Sequence, residues 1–153
     1  MTGSGNDPSK RAPMYWNTQR DSGTTQPPPE CVLPESYPFG SLEEQRFDDD
    51  SIYSYYRQLI AIRQAIPTIS HGRAAAEAAL NTGCVSAFRK TWGEESCIVL
   101  LNISPETSRA DLSGYGDWTL AATLSAEGSP VALEGTTLVL PPYAAAVLLP
   151  AKN

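Results

Sequence analysis

The stretch Ser51-Ile-Tyr-Ser-Tyr-Tyr-Arg-Gln-Leu-Ile-Ala-Ile-Arg-Gln-Ala65, closed by Ile66-Pro67, constrains this chain more than any other. Ile52, Tyr55, Tyr56, Leu59, Ile62 and Ile66 recur at the three-and-four spacing that places side chains on one face of an amphipathic helix. Asp48, Asp49, Asp50 and Ser51 crowd its start, where carboxylates and hydroxyls can hold free amide groups and oppose the helix dipole. Pro67 has no amide hydrogen and pushes Ile66 away from helical angles, so the helix stops there. Arg57 and Arg63 are spaced to lay their aliphatic stems along the rim of the stripe. A lone helix of this length is marginal in water, so its apolar face needs a cover.

Downstream the period changes from the helix's to two. Val85, Ala87 and Arg89 alternate with Cys84, Ser86 and Phe88, which predicts a strand with two distinct faces. The Trp92-Gly-Glu-Glu95 turn leads into Ser96-Cys-Ile-Val-Leu-Leu-Asn-Ile103, and the two runs read as a hairpin. So continuous an apolar run belongs to a strand covered on both faces. Further strands are expected at Ser108–Leu112, Asp117–Leu124, Thr136–Leu140 and Tyr143–Leu149, separated by Gly- and Pro-containing turns. Short strands at this spacing predict an antiparallel β-sandwich. Arg73 to Leu80 is Ala-rich, and propensity alone would continue a helix there.

Residues 1 to 10 are polar and Gly-rich. Residues 17 to 41 carry Pro27, Pro28, Pro29, Pro34 and Pro38 with no helical or strand period. A loop this long inside a compact domain is usually functional or belongs against a partner. Just before it, a proline and two aromatics stand within Arg11 to Trp16, which calls for burial or a ligand.

Charge and composition exclude whole classes. A formal charge of −6 and a pI near 4.7, with eleven scattered basic residues, leave no patch that could track a nucleic acid or an anionic membrane. No apolar run approaches the roughly 18 residues that span a bilayer. Cys31, Cys84 and Cys97 fit neither a Cys-x-x-Cys metal site nor a disulfide framework. Free thiols in a cytoplasmic protein are expected, with Cys84 and Cys97 packed as small apolar groups and Cys31 the most reactive.

The order of these words resembles one family. Arg11-Ala-Pro-Met-Tyr-Trp16, then Leu42-Glu-Glu-Gln45, then the helix from Asp50 to Arg63, then Pro67 and Gly72 are similar to the end of the catalytic barrel in the α-amylase superfamily (glycoside hydrolase family thirteen), especially its oligosaccharide α-glucosidase branch. The resemblance covers about residues 10 to 149. It implies a mainly β chain: an antiparallel β-sandwich of the domain C type, preceded by a long loop and one amphipathic helix left from a (β/α)8 barrel. Residues 1–72 would be the barrel remnant and residues 73–153 the C-terminal β-sandwich domain, with Arg73–Leu80 an extended lead into it. The loop would rim the sugar cleft and Arg11, Tyr15 and Trp16 would contact substrate. Core packing for the two rings and a salt bridge for Arg11 remain open beside that reading.

Chemistry is where the residues are silent. A retaining α-glycosidase needs a nucleophilic carboxylate and an acid about 5–5.5 Å apart. In this superfamily those groups lie on earlier barrel strands, so the resemblance carries no catalytic residue onto this chain. The acids present read as caps (Asp48 to Asp50), helix-rim charges (Glu43, Glu44) or turn residues (Glu94, Glu95, Asp117). His71 alone cannot build a triad or a metal site, and Cys31 has no histidine near it in sequence. No phosphate-binding glycine motif is present. No cofactor and no metal are expected. The expected partners are the missing catalytic barrel and, in the parent enzyme, an α-glucan or oligosaccharide; nucleic acid and membrane are not. The chain itself is expected not to catalyse. The alternatives are a free-standing carbohydrate-binding module presenting Trp92, Tyr115 and Trp118, and a purely structural module that seals a partner barrel.

Overall fold

A computed structural model describes residues 12–19, 26, 31, 37–126 and 128–151. The chain divides into two compact units, Met1–Ser54 and Tyr55–Asn153. In chain order the elements are α1 (Leu42–Gln45), α2 (Ile52–Ala65), α3 (Pro67–His71), β1 (Arg73–Ala76), β2 (Val85–Trp92), β3 (Glu95–Asn102), β4 (Ser108–Asp111), β5 (Trp118–Ser125), β6 (Ala132–Glu134), β7 (Thr137–Leu140) and β8 (Ala144–Pro150).

The strands form two antiparallel sheets, one ordered β1-β2-β3-β8-β5 and the other β4-β7-β6. Each expected strand is present to within a residue or so, and the class is mainly β, as the alternation implies. Val85, Ala87, Ile98, Leu100, Ala146 and Leu148 of the first sheet meet Ala110, Leu138 and Leu140 of the second in the main core. The opposite face of the five-stranded sheet carries Cys97, Val99 and Val147, over which Ile62, Ile66 and Ile69 pack. Strand β3 is thus buried on both sides, as its unbroken apolar run requires. A register shift between Leu120 and Ala122 bulges β5 beside β8.

Several expectations need correction. The acids before α2 do not cap it. Ser51 does, its Oγ accepting the Ser54 amide at 3.1 Å, while Asp48 Oδ1 accepts the Asp50 amide at 3.0 Å in a local turn. Pro67 ends α2 but opens α3, because a proline without an N–H costs nothing at a first helical position. Of the two readings of the Ala-rich Arg73–Leu80, the extended one implied by the resemblance holds at Arg73–Ala76, which is a strand because its ladder with Phe88–Thr91 outweighs helix propensity. Strand β6 gave no sequence signal at three residues. Tyr143 precedes β8 instead of opening it, at a φ of 51°. Cys84 is exposed, lying one residue short of β2 where the sheet no longer covers it.

The apolar stripe of α2 is the largest surprise. Ile66 is buried and Ile62 half-buried, yet Ile52, Tyr56 and Leu59 are exposed, Tyr56 by 61%, as is Ile60 beside the stripe. Gly72 closes the segment because a Cβ there would overlap the Thr68 carbonyl oxygen and press on Lys90 and Thr91. The Lys90 ammonium donates to the Ile69 carbonyl, and Thr68 Oγ1 to Glu95 at 3.2 Å, which fix α3 on β2 and β3.

Two measurements check this arrangement. Leu100→Ala is expected to cost about 2–5 kcal/mol in urea unfolding, whereas Leu59→Ala at the open stripe should stay within about 0.5 kcal/mol. Equal losses would mean that α2 is covered after all. In native thiol titration Cys84 should react fastest and Cys31 next. Cys97 should appear only on unfolding, because burial pushes its thiol pKa up and excludes reagent.

Candidate functional site

The sequence-predicted site lies in the loop before α1, within the first unit. Residues 12–16 run without helix or strand and are tied down by α1: the Leu42 amide donates to the Tyr15 carbonyl and the Glu43 amide to the Trp16 carbonyl, both at 2.9 Å. These two donors belong to the first turn of α1, where amides have no partner within the helix. They hold the two aromatic residues by their backbones and leave the rings to find their own neighbours.

The α1 terminus that does this holding is itself a closed capping box. Ser41, wholly buried, accepts the Glu44 amide on its Oγ, and Glu44 Oε2 accepts from the Ser41 amide at 2.8 Å and its hydroxyl at 2.7 Å. The Ser41 amide bond, with its hydroxyl bond second, holds the Glu44 carboxyl below the usual carboxylate range. Gly40 at φ 70° makes the turn, with its amide on the Tyr37 carbonyl.

That turn brings in two rings that sequence reasoning missed. Tyr15 and Tyr37 lie with centroids 5.1 Å apart and tilted by 51°, and Tyr37 stacks on Phe39 at 5.0 Å and 24°. Phe39 is 48% and Trp16 40% exposed, with Met14 also open. The signal was Tyr37-Pro-Phe-Gly40: two aromatics about a proline, next to a glycine that turns the chain. The structure therefore joins Tyr15 to Tyr37 and Phe39 as an aromatic ledge. Trp16 follows on the same backbone, and Arg11 lies outside the described residues.

Several titratable groups elsewhere among the described residues hold structure. Glu77 pairs with Arg89, Glu134 with Arg109, and Asp111 accepts from Ser113, whose backbone bond lowers its carboxyl pKa. A general acid in a glycosidase needs a raised pKa, whereas hydrogen bonds hold the Glu44 and Asp111 carboxyls below the usual range. His71 leans on Trp92 with centroids 5.1 Å apart. Trp118 lies beneath the Arg89 guanidinium, gives its Nε1–H to the Tyr115 carbonyl at 2.7 Å, and packs with Tyr115 on the core. Trp92, Tyr115 and Trp118 therefore do not make the shared open platform that a carbohydrate-binding module would present. Among the described residues no group of three or more His, Cys, Asp or Glu is placed to hold a metal ion, and no helix is long and apolar enough to cross a membrane.

Residues 1–72 match the family model of the α-amylase catalytic domain. The fold of Amy13B from Eubacterium rectale superposes with a TM-score of 0.89 at 27% identity, covering 97% of this chain and 29% of that one. The chain is similar to members of the α-amylase superfamily. Within it, trehalose-6-phosphate hydrolase of Escherichia coli is 26% identical over 123 residues, or 80% of this chain and 22% of the relative. An oligo-1,6-glucosidase of Bacillus cereus is 28% identical over 97 residues, 63% of this chain and 17% of the relative. The chain thus spans about a fifth of the length of the curated superfamily members it matches. These relatives are glycoside hydrolases of the α-glucosidase and α-amylase type.

The capping box gives a pH signature. Glu44 has a lowered carboxyl pKa in the folded chain, so its contribution is complete above the ordinary glutamate range and is lost as pH falls through the lowered value. Amide exchange at Ser41, corrected for intrinsic rate, should rise over that acid interval. Glu44→Ala should abolish the step and leave exchange fast at neutral pH; an unchanged profile in the variant would refute the assignment.

Proposed function

We propose that this chain is the C-terminal part of a retaining α-glucosidase-type glycoside hydrolase. Residues 1–72 complete the catalytic barrel and residues 73–153 form the C-terminal β-sandwich domain. The observation that carries the reading is the agreement of two limits: the catalytic-domain match stops at residue 72, and the sheet begins at Arg73. The parent enzyme acts in the cytoplasm on α-glucans or oligosaccharides, together with the missing part of the barrel.

In that enzyme the work of this chain is positioning. Retaining hydrolysis needs a nucleophilic carboxylate and an acid about 5–5.5 Å apart, and both come from the missing segment. Tyr15 and Trp16, with Arg11, contact the sugar from the loop that α1 anchors; aromatic faces suit the apolar C–H face of a pyranose, and a guanidinium suits its hydroxyls. The lowered Glu44 and Asp111 carboxyls are consistent with a chain whose acids serve as caps.

The isolated chain is therefore expected to hydrolyse none of maltose, isomaltose or an aryl α-glucoside above the uncatalysed rate. Turnover that disappears on changing a single Asp or Glu of this chain would sink the reading.

A further inference from the structure

The five-stranded sheet has two margins, β1 and β5, each a strand with a single neighbour. Such a margin carries backbone donors and acceptors that another chain can pair with, and soluble proteins blunt it with proline, a bulge or an inward charge. Strand β5 is blunted, because its register against β8 shifts between Leu120 and Ala122. Strand β1 is not. Its four residues pair with Phe88–Thr91 in unbroken register, all are exposed, and none is a proline. Three are alanines, whose methyls leave room for a further strand at about 4.8 Å.

The phase of the ladder says which groups are free. The Glu77 amide donates to the Ala87 carbonyl at 3.0 Å, one step beyond the Ala76–Phe88 pair. Facing pairs in an antiparallel ladder alternate between bonded and unbonded. Arg73 and Ala75 therefore share the phase of Glu77, and Ala74 and Ala76 turn their N–H and C=O groups away from β2. Asn81 clamps that end of the strand: its Nδ2 donates to the Glu77 and Ala87 carbonyls, and its Oδ1 accepts the Ala87 amide. The free edge is thus held extended before any partner arrives, which lowers the ordering cost of pairing.

The flanking charges identify the partner. Arg73 and Glu77 bracket the edge on the same face as Ala75. Arg73 meets no carboxylate among the described residues, while Glu77 already pairs with Arg89, which stands opposite Ala75. A strand laid antiparallel on this edge and centred on Ala75 should bring an acid to Arg73 and a cation to Glu77. Strand β1 itself has both at those places. We propose that the free edge of β1 pairs with the same edge of a second copy of the chain, about a twofold axis at Ala75, so that the two five-stranded sheets run on as one. Ala74 of each copy exchanges hydrogen bonds with Ala76 of the other. Each Arg73 comes opposite Glu77 of the other copy, and each carboxylate lies between two guanidiniums. A register shifted along the edge loses the charge match.

A contact this small gives a Kd on the order of 0.1 mM, so sedimentation equilibrium of the whole chain up to about 1 mM should show reversible dimers. Ala76→Pro removes an outward N–H that the fold itself does not use, and should weaken association by more than about tenfold with an unchanged circular dichroism spectrum. Arg73→Glu sets like charges opposite and should weaken it by about tenfold. Facing Cα atoms in an unbonded antiparallel pair lie about 4.5 Å apart, within disulfide reach. With diamide as oxidant, a chain carrying Cys31→Ser, Cys84→Ser and Ala75→Cys should therefore form a covalent dimer, and Ala74→Cys in the same background should not. A monomer at every concentration overturns the proposal. So does a dimer that Ile60→Asp, on the exposed flank of α2, dissociates and Ala76→Pro does not, since the contact then lies on the helical side. Cross-linking through Ala74→Cys as readily as through Ala75→Cys overturns the twofold register and the proposal with it.

Discussion

Strand β3 is the constraint on which the second unit depends. Cys97, Ile98, Val99 and Leu100 are buried in succession, so alternate side chains demand cover on opposite sides. Ile98 and Leu100 turn into the core shared with the three-stranded sheet; Cys97 and Val99 turn to the helical side. A sandwich of two sheets satisfies only the first pair. The second obliges the chain to lay α2 and α3 on the outer face, and there the supply of apolar cover falls short of the sheet's width.

The end of the same strand is locked by one side chain. Asn102 gives its amide hydrogens to the carbonyls of Glu106, Leu140 and Pro141 and accepts on Oδ1 from Ser104 and Ser108. It thereby joins the β3–β4 loop to the corner between β7 and β8. A buried amide is stabilising only when all its donors and acceptors are met, as they are here. Tyr143 then takes a left-handed backbone angle and donates to the Ser104 carbonyl, which lets β8 enter beside β3. At the other end Gly72 lets α3 approach β2 closely.

The first unit works by a different economy. It has little buried apolar surface among its described residues, and its order comes from bonds made by backbone amides: Leu42 and Glu43 to loop carbonyls, Ser41 and Glu44 to each other's side chains, and Tyr53 to the Gln45 side chain. Such bonds fix where Tyr15 and Trp16 sit in the chain while leaving ring faces open. That combination suits a surface that meets a ligand or the rest of a domain more than one that forms an independent core.

The sequence by itself determined the element types and the class. Period two with β-formers from Val85 onward could not be satisfied by helices, and the three-and-four spacing from Ile52 to Ile66 could not be satisfied by a strand. It also carried the family resemblance, through the order of Arg11–Trp16, Leu42–Gln45 and α2. Only the tertiary structure decided which apolar faces are closed, because a stripe records the need for a cover and not its presence: Ile66 met one, Leu59 did not. It alone made Ser51 the cap in place of three nearby aspartates, settled Arg73–Ala76 as a strand by giving it β2 as a neighbour, and brought Tyr37, with Phe39 stacked on it, against Tyr15 across more than twenty residues of chain. In each case the deciding energy is a contact between residues far apart in sequence or a choice among equally able local donors, and neither is written in local spacing.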